Sequence, residues 1–232
     1  MRLVNVRFGL VVLAFCLMAA VGHAEAKTMK VSTAAFPEGE AIARLLKEVY
    51  RQVGLDFELV IRPAKRSLKE VNSGASDAEL ARISGVDNEY PNLVRVMEPV
   101  FALSFSAVVN EKSKIWMSSW DELGKHRIAY PRGYRVLDIR TRELKATVAR
   151  NAASIVRMVK AGRVDVGMAV TSDAVRLASE IGGVTVLKPA VETVTLYHYV
   201  HVKHRRLIPA MEKILIELND SGRAKELFEG KN

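Results

Sequence analysis

One cysteine, Cys16, in 232 residues leaves no partner for a disulfide framework and excludes a zinc module built on cysteine. No stretch reaches the roughly 20 apolar residues of a committed membrane span. The signatures H-E-x-x-H, G-x-S-x-G and G-x-x-x-x-G-K-[ST] are all missing, so the chain offers no zincin, nucleophile-elbow or P-loop motif. Acidic residues are in the minority, 26 against 35 Lys plus Arg, and aromatics make up only 6%. What is present is 49% hydrophobic and 26% charged, which excludes general disorder. The length suits one large or two small globular domains with a sizeable core.

Arg2 and Arg7 precede an apolar run from Phe8 to Val21, and the small residues Gly22, Ala24 and Ala26 follow. A positive start, a short apolar stretch and a small-residue exit describe a secretory signal spanning 1–26, with Ala24-Glu25-Ala26 as the best cleavage pattern. The alternatives are an uncleaved anchor, for which 14 apolar residues are short, and lipidation at Cys16, which Phe15 and the continuing run disfavour. Cleavage would remove the only cysteine, which suits an oxidising compartment. The expected location is therefore periplasmic. A pI near 9.7 then does not point to chromosomal DNA, and no nucleic-acid partner is expected.

The basic excess is uneven. Residues 27–110 hold 11 basic and 11 acidic side chains, whereas 111–163 hold 13 basic and five acidic, including Lys125, Arg127, Arg132, Arg135, Arg140, Arg142 and Lys145. Such a stretch is either a solvated face or a field that attracts an anionic ligand.

Periodicity divides the chain into two similar halves. Met29–Phe36 reads as a strand. Ile42, Leu45, Leu46, Val49, Tyr50 and Val53 then form the apolar stripe of a helix that Gly54 stops. A strand at Leu55–Ile61, a helix at Lys65–Asn72 and a strand near Asp77–Ile83 complete a β-α-β-α-β unit. Residues 113–190 repeat the scheme. Ser119-x-x-Glu122 reads as the capping box of a short helix, followed by a strand at Arg127–Tyr130, a helix at Tyr134–Leu144 and a strand at Ala146–Val148. A helix at Ala152–Ala161, a strand at Val164–Val170, a helix at Asp173–Ile181 and a strand at Val184–Leu187 follow. Gly74-x-x-Asp77 and Gly162-x-x-Asp165 occupy matching positions, each glycine where a helix C-terminus needs positive φ. Phe101–Asn110 and Val194–His204 read as long connecting strands. Ile208, Met211, Leu215 and Leu218 make one further helical stripe, with a shorter helix near Ala224–Phe228. On the last strand His201 faces away from His198 and His204, which stand about 20 Å apart, so no shared metal ion is expected.

The export signal, the two G-x-x-D segments, Tyr90-Pro91-Asn92-Leu93-Val94-Arg95-Val96 and Ser119-Trp120-Asp121-Glu122-Leu123 occur in an order that resembles bacterial periplasmic solute-binding proteins. These are the proteins that feed amino acids and similar polar solutes to ABC importers. The resemblance implies an α/β clamshell of two lobes, each a mixed, mostly parallel sheet with flanking helices. The lobes would comprise 27–108 plus 196–232, and 109–195. It further implies a monomer without cofactor or catalytic residues that presents a small polar or anionic solute to a membrane permease.

Ligands in open α/β sheets bind beyond the C-terminal strand ends. That rule nominates Phe36 as a packing surface, Arg66 at a helix start, Arg82 as a carboxylate anchor, and Gly133, Tyr134 and Arg135 as an anion-favouring helix start. Thr171 joins them, although Thr171, Ser172 and Asp173 also read as a helix cap. Amino-acid receptors of this family resemble one another in a Thr-x-x-Arg clamp and a second-lobe Asp. Here Ile83-Ser84-Gly85-Val86 follows Arg82, and Val170 stands at the expected acidic position. These departures weaken the case for a standard α-amino acid and leave room for a carboxylate or other polar solute, so the expected ligand is a small polar, carboxylate-bearing amino acid or organic acid. Two other roles use the same fold: a sensory subunit for a membrane receptor, and a dehydratase acting on cyclic carboxylic acids through Asp173 or His126.

Overall fold

A computed structural model describes residues 28–230; the predicted export signal and Cys16 lie outside the described residues. The first half of the chain builds β1 (Thr28–Thr33), α1 (Gly39–Gln52), β2 (Asp56–Ile61), α2 (Ala64–Asn72) and β3 (Ala78–Ile83). β1 lies between β2 and β3, parallel to both. β4 (Leu93–Asn110) then leads to β5 (Ile128–Pro131), α3 (Arg135–Arg140) and β6 (Ala146–Ala149). The rest of the second unit is α4 (Ala152–Lys160), β7 (Val166–Val170), α5 (Thr171–Ile181) and β8 (Val184–Val186). β5 is parallel to both β6 and β7. β9 (Glu192–His201) returns antiparallel to β4, and α6 (Ile208–Asp220) and α7 (Arg223–Glu229) close the chain.

The strand order is β2-β1-β3-β9-β4-β7-β5-β6, with β8 also on β4. Two parallel βα units thus flank a central antiparallel pair, β4 and β9, that belongs to both. Short βα connections put helices over each half, and the result is a two-lobed α/β architecture. α1 buries Ile42, Leu45, Leu46, Val49 and Tyr50, the stripe expected from their spacing. α6 buries Met211, Ile214, Leu215 and Leu218 beside it. In the second lobe, α4 lays Ile155 and Val159 over Gly167 of β7, where an added Cβ would stand 2.4 Å from Ile155 Cγ2.

The paired G-x-x-D segments have a common structural cause. Gly74 and Gly162 end α2 and α4 with φ of 80° and 67°, and each aspartate then ties the incoming strand to the first strand of its lobe. Asp77 accepts the Lys30 N–H at 3.0 Å and donates its own N–H to Lys30 O at 2.8 Å. Asp165 does the same with Arg127, at 2.9 and 2.8 Å. Hydrogen-bonding neighbours hold both carboxyls well below the usual range. Lys203 and His204 act on Asp77, and Arg127 on Asp165, bringing each pKa to about 2 against the desolvation that opposes them.

Four expectations change. β4 begins eight residues before Phe101, because Pro99 falls between register shifts at Arg95 and Phe101 and so interrupts the ladder without ending it. β9 stops at His201, so His204 lies on a 3₁₀ turn and its Nε2 meets Asp77 Oδ1 at 2.7 Å. His198 is buried between Tyr50 Oη at 2.8 Å and Leu80 O at 3.1 Å. Burial lowers its pKa to about 4, which keeps it neutral. Ser119 and Glu122 bond to each other instead of exchanging backbone caps, and a 3₁₀ turn, Trp120–Lys125, replaces the expected helix start. Thr171 lies inside α5, where its hydroxyl pairs with Ser106 Oγ at 2.8 Å and not with a free amide.

Candidate functional site

The C-terminal ends of β1, β5, β6 and β7 converge on one cavity of about 340 Å³, within the range of small-molecule sites. Phe36 and Pro37 approach from the first lobe. Arg132, Tyr134, Arg150, Val170 and Asp173 approach from the second. Val170 is almost fully buried and makes that part of the wall apolar. Phe36 is steadied by Gly39, whose added Cβ would meet the ring at 3.4 Å. Tyr134 stands edge-on to Phe105, with ring centroids 5.6 Å apart at 84°. Burial raises the pKa of the Tyr134 hydroxyl, and the negative charges of Asp173 and Glu38 raise it further.

Two side-chain contacts cross from lobe to lobe beside this cavity. Ser172 Oγ, on the first turn of α5, donates to Glu38 Oε1, which precedes α1. Glu38 Oε2 is buried with no hydrogen-bond partner. Arg135 grips Glu89 with two bonds, at 2.8 and 2.7 Å. A second cavity of similar volume is lined by Ile83, Ser84, Val136, Ile139 and the Arg140–Glu192 pair.

The structure brings Phe36 and Tyr134 together across the cleft, with Gly133 in the turn between Arg132 and Tyr134. Arg135 follows but points to Glu89. Arg66 is held by Glu70 at 2.7 Å on the exposed face of α2. Thr171 is engaged with Ser106. Arg82 Nη2 lies 2.9 Å from Glu79 Oε1, an ion pair whose alignment leaves Arg82 Nε and Nη2 without a hydrogen bond. Its partner is a fully buried carboxylate on the same strand. Desolvation raises the Glu79 pKa to about 7 against the pull of Arg82 and of the Ser67 hydroxyl that donates to it. His126 precedes β5, at the strand end opposite the cleft, and Asp173 is tied to Arg176 at 2.7 Å.

Arg150 is a cleft residue that the sequence reading passed over, and Arg132 entered it only as part of the basic stretch. The signal was available for the two arginines: each directly follows a strand, β5 or β6, and the strand-end rule that nominated Phe36 applies to them equally. Among the described residues no cluster of acidic, His or Cys side chains is arranged to hold a metal ion. No helix there is long and apolar enough to cross a membrane.

No protein-family model and no curated protein matches the sequence. Solved structures match over most of the chain. A mutant of ArgBP from T. maritima aligns at 17% identity and a TM-score of 0.71, covering 88% of this chain and 94% of that one. An amino acid ABC transporter substrate-binding protein, AbpA from Streptococcus pneumoniae, bound to L-arginine, aligns at 15% identity and 0.68, covering 88% and 94%. A histidine kinase sensor domain with similarity to periplasmic binding proteins aligns at 13% identity and 0.72, covering 87% and 94%. The fold is that of the periplasmic binding proteins.

Proposed function

We propose that this chain is an extracytoplasmic solute-binding protein that closes its two lobes on a small polar, carboxylate-bearing solute and presents it to an ABC importer. The observation that carries this reading is the cavity at the C-terminal strand ends, walled by Phe36 from one lobe and Tyr134 from the other. Closing the lobes removes the solute from water, where hydrogen bonds and ion pairs count for more. In this reading 1–26 is a cleaved export signal, 27–108 with 196–232 forms the first lobe, and 109–195 forms the second. β4 and β9, shared by both lobes, serve as the hinge. Binding needs no cofactor, and the chain acts as a monomer.

A sensory role on the same fold is favoured by the kinase sensor domain among the similar structures. Both roles require a soluble ligand, so binding is tested first. Thermal unfolding of residues 27–232, refolded to strip carried ligand, is followed against amino acids, organic acids, polyamines and sugars. A ligand at 100 times its dissociation constant adds about 2.7 kcal/mol, a rise of several degrees for a chain of this size. No shift with any compound refutes the solute-binding reading. Deleting the gene then separates the roles: loss of solute uptake supports the importer, and loss of a signalling response with uptake intact supports the sensor.

A further inference from the structure

Most arginines around the cleft are already engaged. Arg66 is paired with Glu70, Arg82 with Glu79, Arg135 with Glu89, Arg140 with Glu192 and Arg176 with Asp173. Arg132 and Arg150 line the cavity, and neither guanidinium makes an ion pair or hydrogen bond among the described residues. They are neighbours. Pro131 and Ala149 are register partners on β5 and β6, and Arg132 N–H donates to Ala149 O at 3.0 Å. Paired strands run about 4.8 Å apart, so two like charges leave adjacent strand ends at the mouth of one cavity.

Nothing else in the cavity offers an anion as much. The start of α4 is closed by Asn151, whose side chain accepts from Ser154 N–H at 2.9 Å. Asp173, the one carboxylate lining the cavity, is on the same lobe and already paired with Arg176.

We infer that Arg132 and Arg150 form the anion-reading edge of the cleft: the ligand carboxylate bridges the two guanidinium groups and screens their mutual repulsion. This inference rests on the solute-binding reading and deepens it, because it moves the anchor from the first lobe to the second. Guanidinium groups suit a carboxylate because each presents parallel N–H donors, which Gln does not match in charge or number.

The test compares wild type, Arg132→Gln/Arg150→Gln and Arg82→Gln by thermal unfolding and titration calorimetry. The probes are the twenty L-amino acids, the C4 and C5 dicarboxylates, and putrescine as a control without an anion. Both cleft arginines are exposed, and circular dichroism checks that the double variant stays folded. The expected result is a carboxylate-bearing probe that binds wild type, with affinity about tenfold or more weaker in the double variant. Binding by wild type that survives intact in the double variant but is lost with Arg82→Gln overturns the inference and leaves the solute-binding reading standing. So does tightest binding of putrescine. No binding by any probe overturns both.

Discussion

Replacing Glu79 with Gln should remove a pH dependence of stability that the fold builds into the first lobe. The Glu79 side chain is fully buried, bonded to Ser67 and in contact with Arg82, and its pKa is raised from an ordinary 4.5 to about 7. Between those two values the folded protein holds a proton that the unfolded chain has already released. Stability attributable to this group is therefore full below about pH 4.5 and is lost as pH rises through about 7. A shift of this size corresponds to about 3 kcal/mol across the window. Gln keeps the volume and cannot ionise, so the stability difference between variant and wild type should move in favour of the variant from pH 4.5 to 8. Urea unfolding at half-unit pH steps measures that difference and cancels the titration of every unaltered group. A difference that stays flat, or that moves in favour of wild type as pH rises, would refute desolvation as the dominant influence on Glu79.

Gly167→Ala should destabilise by about 1–3 kcal/mol, because its Cβ would lie 2.4 Å from Ile155 and 3.0 Å from Val159 in a packed layer; thermal unfolding should show a loss of several degrees. Asp77→Asn should cost about 1 kcal/mol at neutral pH once its partial exposure is allowed for. Its folded pKa lies near 2, below the ordinary 3.8, so the deficit should shrink as pH falls from about 4 to 2, read in denaturant midpoints. Glu89→Gln removes the carboxylate that Arg135 bridges between lobes. Small-angle scattering of the ligand-free protein should show a larger radius of gyration than wild type, with the gap narrowing at high salt as screening weakens the native pair.

Local chemistry made much of this fold legible. The α1 stripe, the α6 stripe and the two G-x-x-D turns are short-range patterns, and each appears where its spacing places it. Elements failed where a distant partner intervened. The strand expected from Phe101 starts at Leu93, because β9 holds the ladder on both sides of Pro99. Thr171 reads as a cap, yet Ser106, 65 residues earlier, takes its hydroxyl. Phe36 and Tyr134 could be nominated for the cleft because strand ends can be found from periodicity.

The charged residues could not be sorted in that way. Sequence alone determined a two-unit α/β chain with a basic second half, because periodicity, turn glycines and composition act over a few residues. Which arginines remain free was decided only by tertiary structure. Glu70, Glu79, Glu89 and Glu192 capture Arg66, Arg82, Arg135 and Arg140, and two of those partners lie 46 and 52 residues away. An ion pair depends on distance in space, and at this range the chain order does not encode it until the sheet brings the partners together.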